Sequence, residues 1–165
     1  MEQALFTESV EKYRATVFRV ALGYVRNCHD ADDIAQNVFF KLYNRSDDFA
    51  SEEIMKAWLI RVTVNEAKNL LMSTWFKRRA ELDENLTAPE NGDTGLYEHV
   101  KTLKPKYRTV IYLHYYEGYP AKEIAEILRI PPSTVATQLQ RAREALKKII
   151  IKEEIYYGKQ LQGNV

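Results

Sequence analysis

Seven side chains in the segment PPSTVATQLQRAREALKK carry the chemistry most worth explaining: Ser133, Thr134, Thr137, Gln138, Gln140, Arg141 and Lys148. They are hydroxyls, carboxamides and cations, the groups that donate to phosphate oxygens and to base edges. Asn65 and Asn69 form a second set, one helical turn apart in AWLIRVTVNEAKNLLM. A carboxamide offers both a donor and an acceptor, which base edges require. Such chemistry recognises nucleic acid; it does not make or break bonds. Paired carboxylates around a cleft, a Ser/His or Cys/His order and a glycine-rich phosphate loop are all missing from the sequence, so no enzyme is expected. Cys28 is the only cysteine, which rules out an intramolecular disulfide and fits a reducing compartment. With His29 beside it and His99 and His114 far away, it makes a poor ligand set, so neither a metal nor another cofactor is expected.

The elements that position the first set are two short helices joined by a tight turn. Ile124, Ala125 and Leu128 give the buried stripe of one helix, and small Ala125 allows close backbone approach. Ile130 plugs the turn, Pro131 and Pro132 end the first helix, and Pro132 suits the first turn of the next. Val135, Leu139, Ala142 and Leu146 form the inner stripe of that second helix and leave the seven polar residues outward. A helix-turn-helix with a basic outer face is expected over 120–148.

The front half also reads as helical. Phe6, Val10, Tyr13, Val17, Ala21 and Tyr24 recur at three- to four-residue spacing and predict a first helix, broken at Asn27 to Asp30. Asp30 is read as the N-cap of a second helix, with Asp32 and Asp33 at its positive end. There Ile34, Val38 and Leu42 form one stripe, extended by Ala35, Phe39 and Tyr43. Asp33, Gln36, Asn37, Phe40 and Lys41 are left outward. Residues 47–56 read as a loop into a third helix, whose apolar positions are Trp58, Leu59, Val62, Ala67, Leu70 and Leu71, with Trp58 in the core.

Charge is distributed unevenly behind a net value of +1. Segment 56–79 holds six Lys or Arg against Glu66 alone, 80–99 holds six acids and no Lys or Arg, and twelve basic residues against six acids follow residue 100. The basic segments coincide with the proposed nucleic-acid-facing elements. Residues 80–97, with Pro89, Asn91-Gly92 and Gly95 and little apolar periodicity, read as a flexible acidic linker. From Ile149 the last helix is expected to continue and fray after Gly158, with Ile149, Ile150, Ile151, Ile155 and Tyr156 either capping a core or facing a partner. No apolar run approaches the length of a membrane span and no leader peptide is evident, so a cytoplasmic protein without membrane insertion is expected.

Residues 104–146 resemble region 4 of the bacterial sigma-70 family, and DADDIAQNVFFKLY (30–43) with 57–79 resembles region 2. Without additional domains, the chain is similar to the extracytoplasmic-function group. The resemblance implies an all-α fold of two small helical domains, a region 2-like bundle over 1–79 and a region 4-like helix-turn-helix over 98–165, joined by the 80–97 linker. It implies a subunit that binds core RNA polymerase and directs promoter-specific initiation, its front domain melting and reading the −10 element and its rear domain the −35 duplex. Its implied partners are the β′ clamp helices and β flap of the polymerase, promoter DNA and an anti-sigma factor. Carried over by position, Asp33, Gln36, Asn37, Phe40 and Lys41 face polymerase. Ser51, Lys56, Arg61, Asn65, Lys68, Asn69 and Arg78 face −10, with the loop Ser51–Lys56, Asn65 and Asn69 as a pocket for an unstacked base. Trp75 and Phe76 extend that surface, and the linker runs through the polymerase active-site channel. The alternative is a helix-turn-helix regulator that never joins polymerase; a helical protein-binding adaptor is a third reading.

Four positions depart from the family pattern: Asn69 where Asp is frequent, Met72 where Arg is, Arg129 where the turn usually has Gly, and Ala136 where a basic or polar residue is common. A left-handed Arg129 would cost about 1 kcal/mol relative to glycine.

Overall fold

The computed structural model describes residues 3–45, 47–73 and 99–162, without the side chains of residues 3, 153, 154 and 156–162. The chain divides into two compact units, and every regular element among the described residues is helical. The expected linker, with Trp75, Phe76 and Arg78, lies outside the described residues.

The front unit is a bundle of α1 (Gln3–Val25), α2 (Cys28–Tyr43) and α3 (Glu52–Met72), each packed on the other two. Its core is built from the predicted stripes: Val17 and Ala21 of α1, Ile34, Val38 and Leu42 of α2, and Leu59 and Ala67 of α3 are buried. Met55, Ile60, Thr63 and Val64 join them; the sequence reading did not place these four inside. Thr63 is tolerated there because its hydroxyl donates to the Leu59 carbonyl at 2.7 Å, which satisfies the donor without breaking the helix.

The helix ends explain three departures from expectation. α1 stops because Arg26 turns left-handed, at φ 60°, and its N–H donates to the Leu22 carbonyl at 3.0 Å. Only Arg26 and Asn27 separate it from α2, a shorter break than the four residues predicted. The N-cap of α2 is Asn27, not Asp30: its side-chain oxygen accepts from the Asp30 N–H at 2.8 Å, and its amide nitrogen donates back to the Asp30 carboxylate. Asp30 is thus the inner member of a reciprocal cap, and it is buried. α3 begins at Glu52, with Ser51 as N-cap accepting from the Ile54 N–H at 3.3 Å. Residues 52–56 are therefore helix rather than loop, and Glu52 and Glu53 sit at the positive end of the helix.

The rear unit starts with a helical turn at 99–102 and continues through α4 (Pro105–Ile111), which loosens into a π-helical turn over Tyr112–Tyr116. Gly118, at φ 78°, closes the turn that follows. α5 (Ala121–Leu128) and α6 (Pro132–Gln162) complete the helix-turn-helix. Arg129 is left-handed at φ 53° and carries the turn: the Ile130 N–H reaches the Ala125 carbonyl at 3.1 Å, and the Arg129 N–H reaches Glu126 at 3.4 Å. This is the paired closure that normally selects glycine. Val110, Leu113, Ile124, Val135 and Ala142 are fully buried, with Ala125, Ile127 and Leu139 beside them. Leu128 and Leu146, expected inside, are half-buried. α6 continues to Gln162, straight through Gly158, where fraying was expected.

Candidate nucleic-acid interface

α3 carries a polar stripe along one face. Arg61, Asn65, Lys68, Asn69 and Met72 follow in steps of 4, 3, 1 and 3 residues, which keeps them on one face. Arg61 is half-buried and the other four are exposed. Two carboxamides flanked by two cations on a rigid helix can offer paired hydrogen bonds to bases while holding the adjoining phosphates. Lys56, five residues before Arg61, lies about 140° round the helix from it, off this stripe, and is half-buried. Met72, 77% exposed, extends the stripe with a flexible apolar side chain.

The loop between α2 and α3 is ordered by its own side chains. Asn44 closes α2 by donating its amide to the Phe40 carbonyl at 2.9 Å. Arg45 donates to the Asp47 carbonyl at 3.0 Å, and its guanidinium lies 4.4 Å from the Phe49 ring centre and 5.4 Å from that of Trp58. Phe49 and Trp58 themselves pack at 5.5 Å. Trp58 is half-buried in this cluster, a correction to its expected place in the core. Arg45 and Phe49 were not singled out in the sequence; an Arg and two aromatics flanking a loop were the only signal there to read.

Between this loop and α1 lies a cavity of about 670 Å³. Leu5, Phe49 and Met55 give it apolar wall, and Glu8, Asp48 and Glu52 give it acceptors. Of the predicted pocket residues, Ser51, Glu52 and Met55 line it; Lys56, Asn65 and Asn69 do not. The hydroxyl of Tyr13 and the ammonium of Lys12, both on α1, converge on Oε1 of Glu52. The hydrogen bond from Lys12, then that from Tyr13, holds the Glu52 carboxyl below its usual range. Glu53 is also held low, first by its own backbone N–H and then by the Ser51 hydroxyl.

On α2, Asp33, Gln36, Asn37, Phe40 and Lys41 are all exposed. Phe40, at 67%, is a large apolar ring presented to solvent among polar neighbours. Asp33 lies 3.6 Å from the His29 ring, and Lys41 is tied at 2.5 Å to Glu66 on α3. Tyr43, expected to extend the buried stripe, is instead exposed and meets the Phe6 ring edge-on at 5.2 Å.

In the rear unit, Ser133, Thr137, Gln140, Arg141 and Lys148 are exposed along α6 as predicted. Thr134 and Gln138 are half-buried, in the i, i+4 row that continues to buried Ala142 and half-buried Leu146. Thr137 donates its hydroxyl to the Ser133 carbonyl at 2.8 Å, and Gln140 donates to Glu144 at 3.1 Å. Glu144 thus sits among the outward polar residues, a carboxylate the sequence reading passed over. Arg143 reaches Oη of Tyr115 at 2.7 Å.

Residues 9–77 match the family described as Sigma-70 region 2, and residues 96–146 match Sigma-70, region 4. The chain is 30% identical to the RNA polymerase sigma factor SigV of Bacillus subtilis, over 93% of this chain and 95% of the relative. It is 29% identical to the ECF RNA polymerase sigma factor SigW of the same organism, over 89% of each. Among solved structures, the fold matches the sigma factor RpoE of Bartonella quintana, crystallised with the anti-sigma factor NepR. That match has a TM-score of 0.69 and 18% identity, and covers 88% of this chain and 96% of that one. CnrH, solved with the cytosolic domain of CnrY, matches at TM-score 0.66 and 22% identity, covering 92% and 90%.

Proposed function

The chain belongs to the sigma-70 family, in its extracytoplasmic-function group, and from that premise we propose how its surfaces divide the work of a sigma factor. The protein is not an enzyme; it is an initiation factor that gives RNA polymerase its choice of promoter. α2 docks on core polymerase through Asp33, Gln36, Asn37 and Phe40, with Phe40 as the apolar anchor and Lys41 braced by Glu66. The stripe Arg61, Asn65, Lys68 and Asn69 holds the −10 strand, and an unstacked base enters beside the loop that Arg45, Phe49 and Trp58 keep in shape. Ser133, Thr137, Gln140 and Arg141 enter the −35 major groove with the first turns of α6, while Lys148 meets the backbone. The two units, 1–79 and 98–165, act in tandem across the 80–97 segment, each contributing a weak contact that the other makes effective. The protein works in the cytoplasm, where polymerase and promoter are, and an anti-sigma factor covering these faces is the natural means of restraint.

One observation carries this reading: a solvent-facing carboxamide and cation stripe on α3 and a polar reading face on α6 occur in one chain. A helix-turn-helix regulator independent of polymerase would leave the α3 stripe and the exposed Phe40 without a task. The test is transcription in vitro with purified core polymerase on a genomic fragment library, mapping RNA 5′ ends with and without the protein. New starts sharing two elements about two helical turns apart support the proposal. DNA binding without new starts would replace it with the regulator.

A further inference from the structure

The first turns of α6 offer an unusual choice of groups for reading a base edge. Ser133, Ala136, Thr137 and Gln140 share its exposed face, since they follow in steps of 3, 1 and 3 residues. Ala136 has only a methyl group to present. Thr137 spends its hydroxyl proton on the Ser133 carbonyl at 2.8 Å, so the arm of its branched side chain not engaged with the backbone is its γ-methyl. The donor nitrogen of Gln140 is drawn toward Glu144, at 3.1 Å, in the direction away from the helix start. The end of α6 that leads into the groove therefore carries two adjacent methyl groups, with the Thr137 hydroxyl proton and a Gln140 donor turned to the helix itself and the Ser133 hydroxyl one turn away.

Among the four base pairs, only those containing thymine place a methyl group in the major groove, and alanine and threonine methyls are its natural contacts. Resting on the reading of α6 as the −35 helix, we infer that Ala136 and Thr137 are specificity-determining residues that select thymine by its 5-methyl group. Discrimination at that position comes from apolar contact rather than from a hydrogen bond, so it is insensitive to changes that leave the methyl in place.

The experiment uses the full chain with core polymerase on a promoter identified by start-site mapping. Each thymidine of the −35 element, on either strand, is replaced singly by deoxyuridine, which keeps every hydrogen-bonding group and lacks only the methyl. Initiation should fall about three- to fivefold at one or two neighbouring positions, the effect of one buried methyl, and stay unchanged at the rest. Thr137→Ser keeps the hydroxyl and its bond to Ser133 but removes the γ-methyl; in that variant, or in Ala136→Gly, the uracil penalty should shrink at the position each residue faces. Uracil that is neutral throughout an element whose base-pair substitutions still abolish initiation would overturn the inference and leave the −35 reading intact. A uracil penalty of equal size in wild type and in both variants would overturn it too. Initiation that ignores the −35 element altogether would overturn the inference together with the reading beneath it.

Discussion

The hydroxyl of Tyr13, in the middle of α1, donates to the carboxylate of Glu52, the first residue of α3. Lys12 reaches the same oxygen. These contacts span the cavity beside the loop between α2 and α3, so the start of α3 is gripped by α1 at a place where packing alone leaves space.

A carboxylate held below its usual range contributes stability at pH values above that range and loses the contribution as pH falls through the lowered value. Glu52 and Glu53 are both of this kind. Denaturant midpoints for the wild type should therefore fall between pH 6 and about pH 3. The fall should be smaller in Glu52→Gln, whose midpoint at pH 6 should already be lower. Parallel curves for the two proteins would show that the grip contributes nothing.

Loosening the grip should act on strand capture more than on folding. Tyr13→Phe should initiate less well from a duplex promoter and regain activity on a template already opened across −10. Equal losses on both templates would place the effect elsewhere.

Phe40→Ala removes an exposed ring, so thermal stability should stay unchanged within error while affinity for core polymerase drops at least tenfold, as an interface anchor predicts. Truncating Lys41 or Glu66 instead should cost at most about 1 kcal/mol of folding stability, because the pair is partly solvated. Calorimetry with and without polymerase separates the two effects.

Arg129 adopts a conformation that L-residues enter at a cost. Arg129→Gly should stabilise the rear unit by about 1 kcal/mol, read as a raised denaturation midpoint. A lowered midpoint would mean that the arginine side chain contributes more than its backbone costs. In the front unit, Leu59→Ala, at a fully buried site, should cost about 2–5 kcal/mol.

Much of this architecture was legible because helical periodicity records burial directly. Val17, Val38 and Leu42 announced themselves by spacing, and so did Val135 and Leu139. What stayed hidden depended on choices that periodicity does not encode. Asn27 and Asp30 are both good capping residues, and only the chain geometry after the left-handed Arg26 decides which one caps. Tyr43 continues an apolar stripe by spacing, yet it lies at the end of α2, where little packs over it but Phe6. Thr134 and Gln138 look outward by residue type but sit a fraction of a turn toward the core. The polar stripe on α3 was readable from the spacing of Asn65 and Asn69. The cavity was not, because half of its wall comes from α1 residues at least thirty-five positions earlier in the chain.

The packing of Trp58 against Phe49 and Arg45 has an optical consequence. An indole fixed against a ring and a guanidinium, at the rim of the loop proposed to receive DNA, emits according to how those neighbours are arranged. With Trp75 replaced by phenylalanine, Trp58 becomes the sole source of tryptophan emission in the chain. The protein then carries its own dye at the proposed site of strand opening, where the approach and insertion of a base can be timed in a stopped-flow trace without any label.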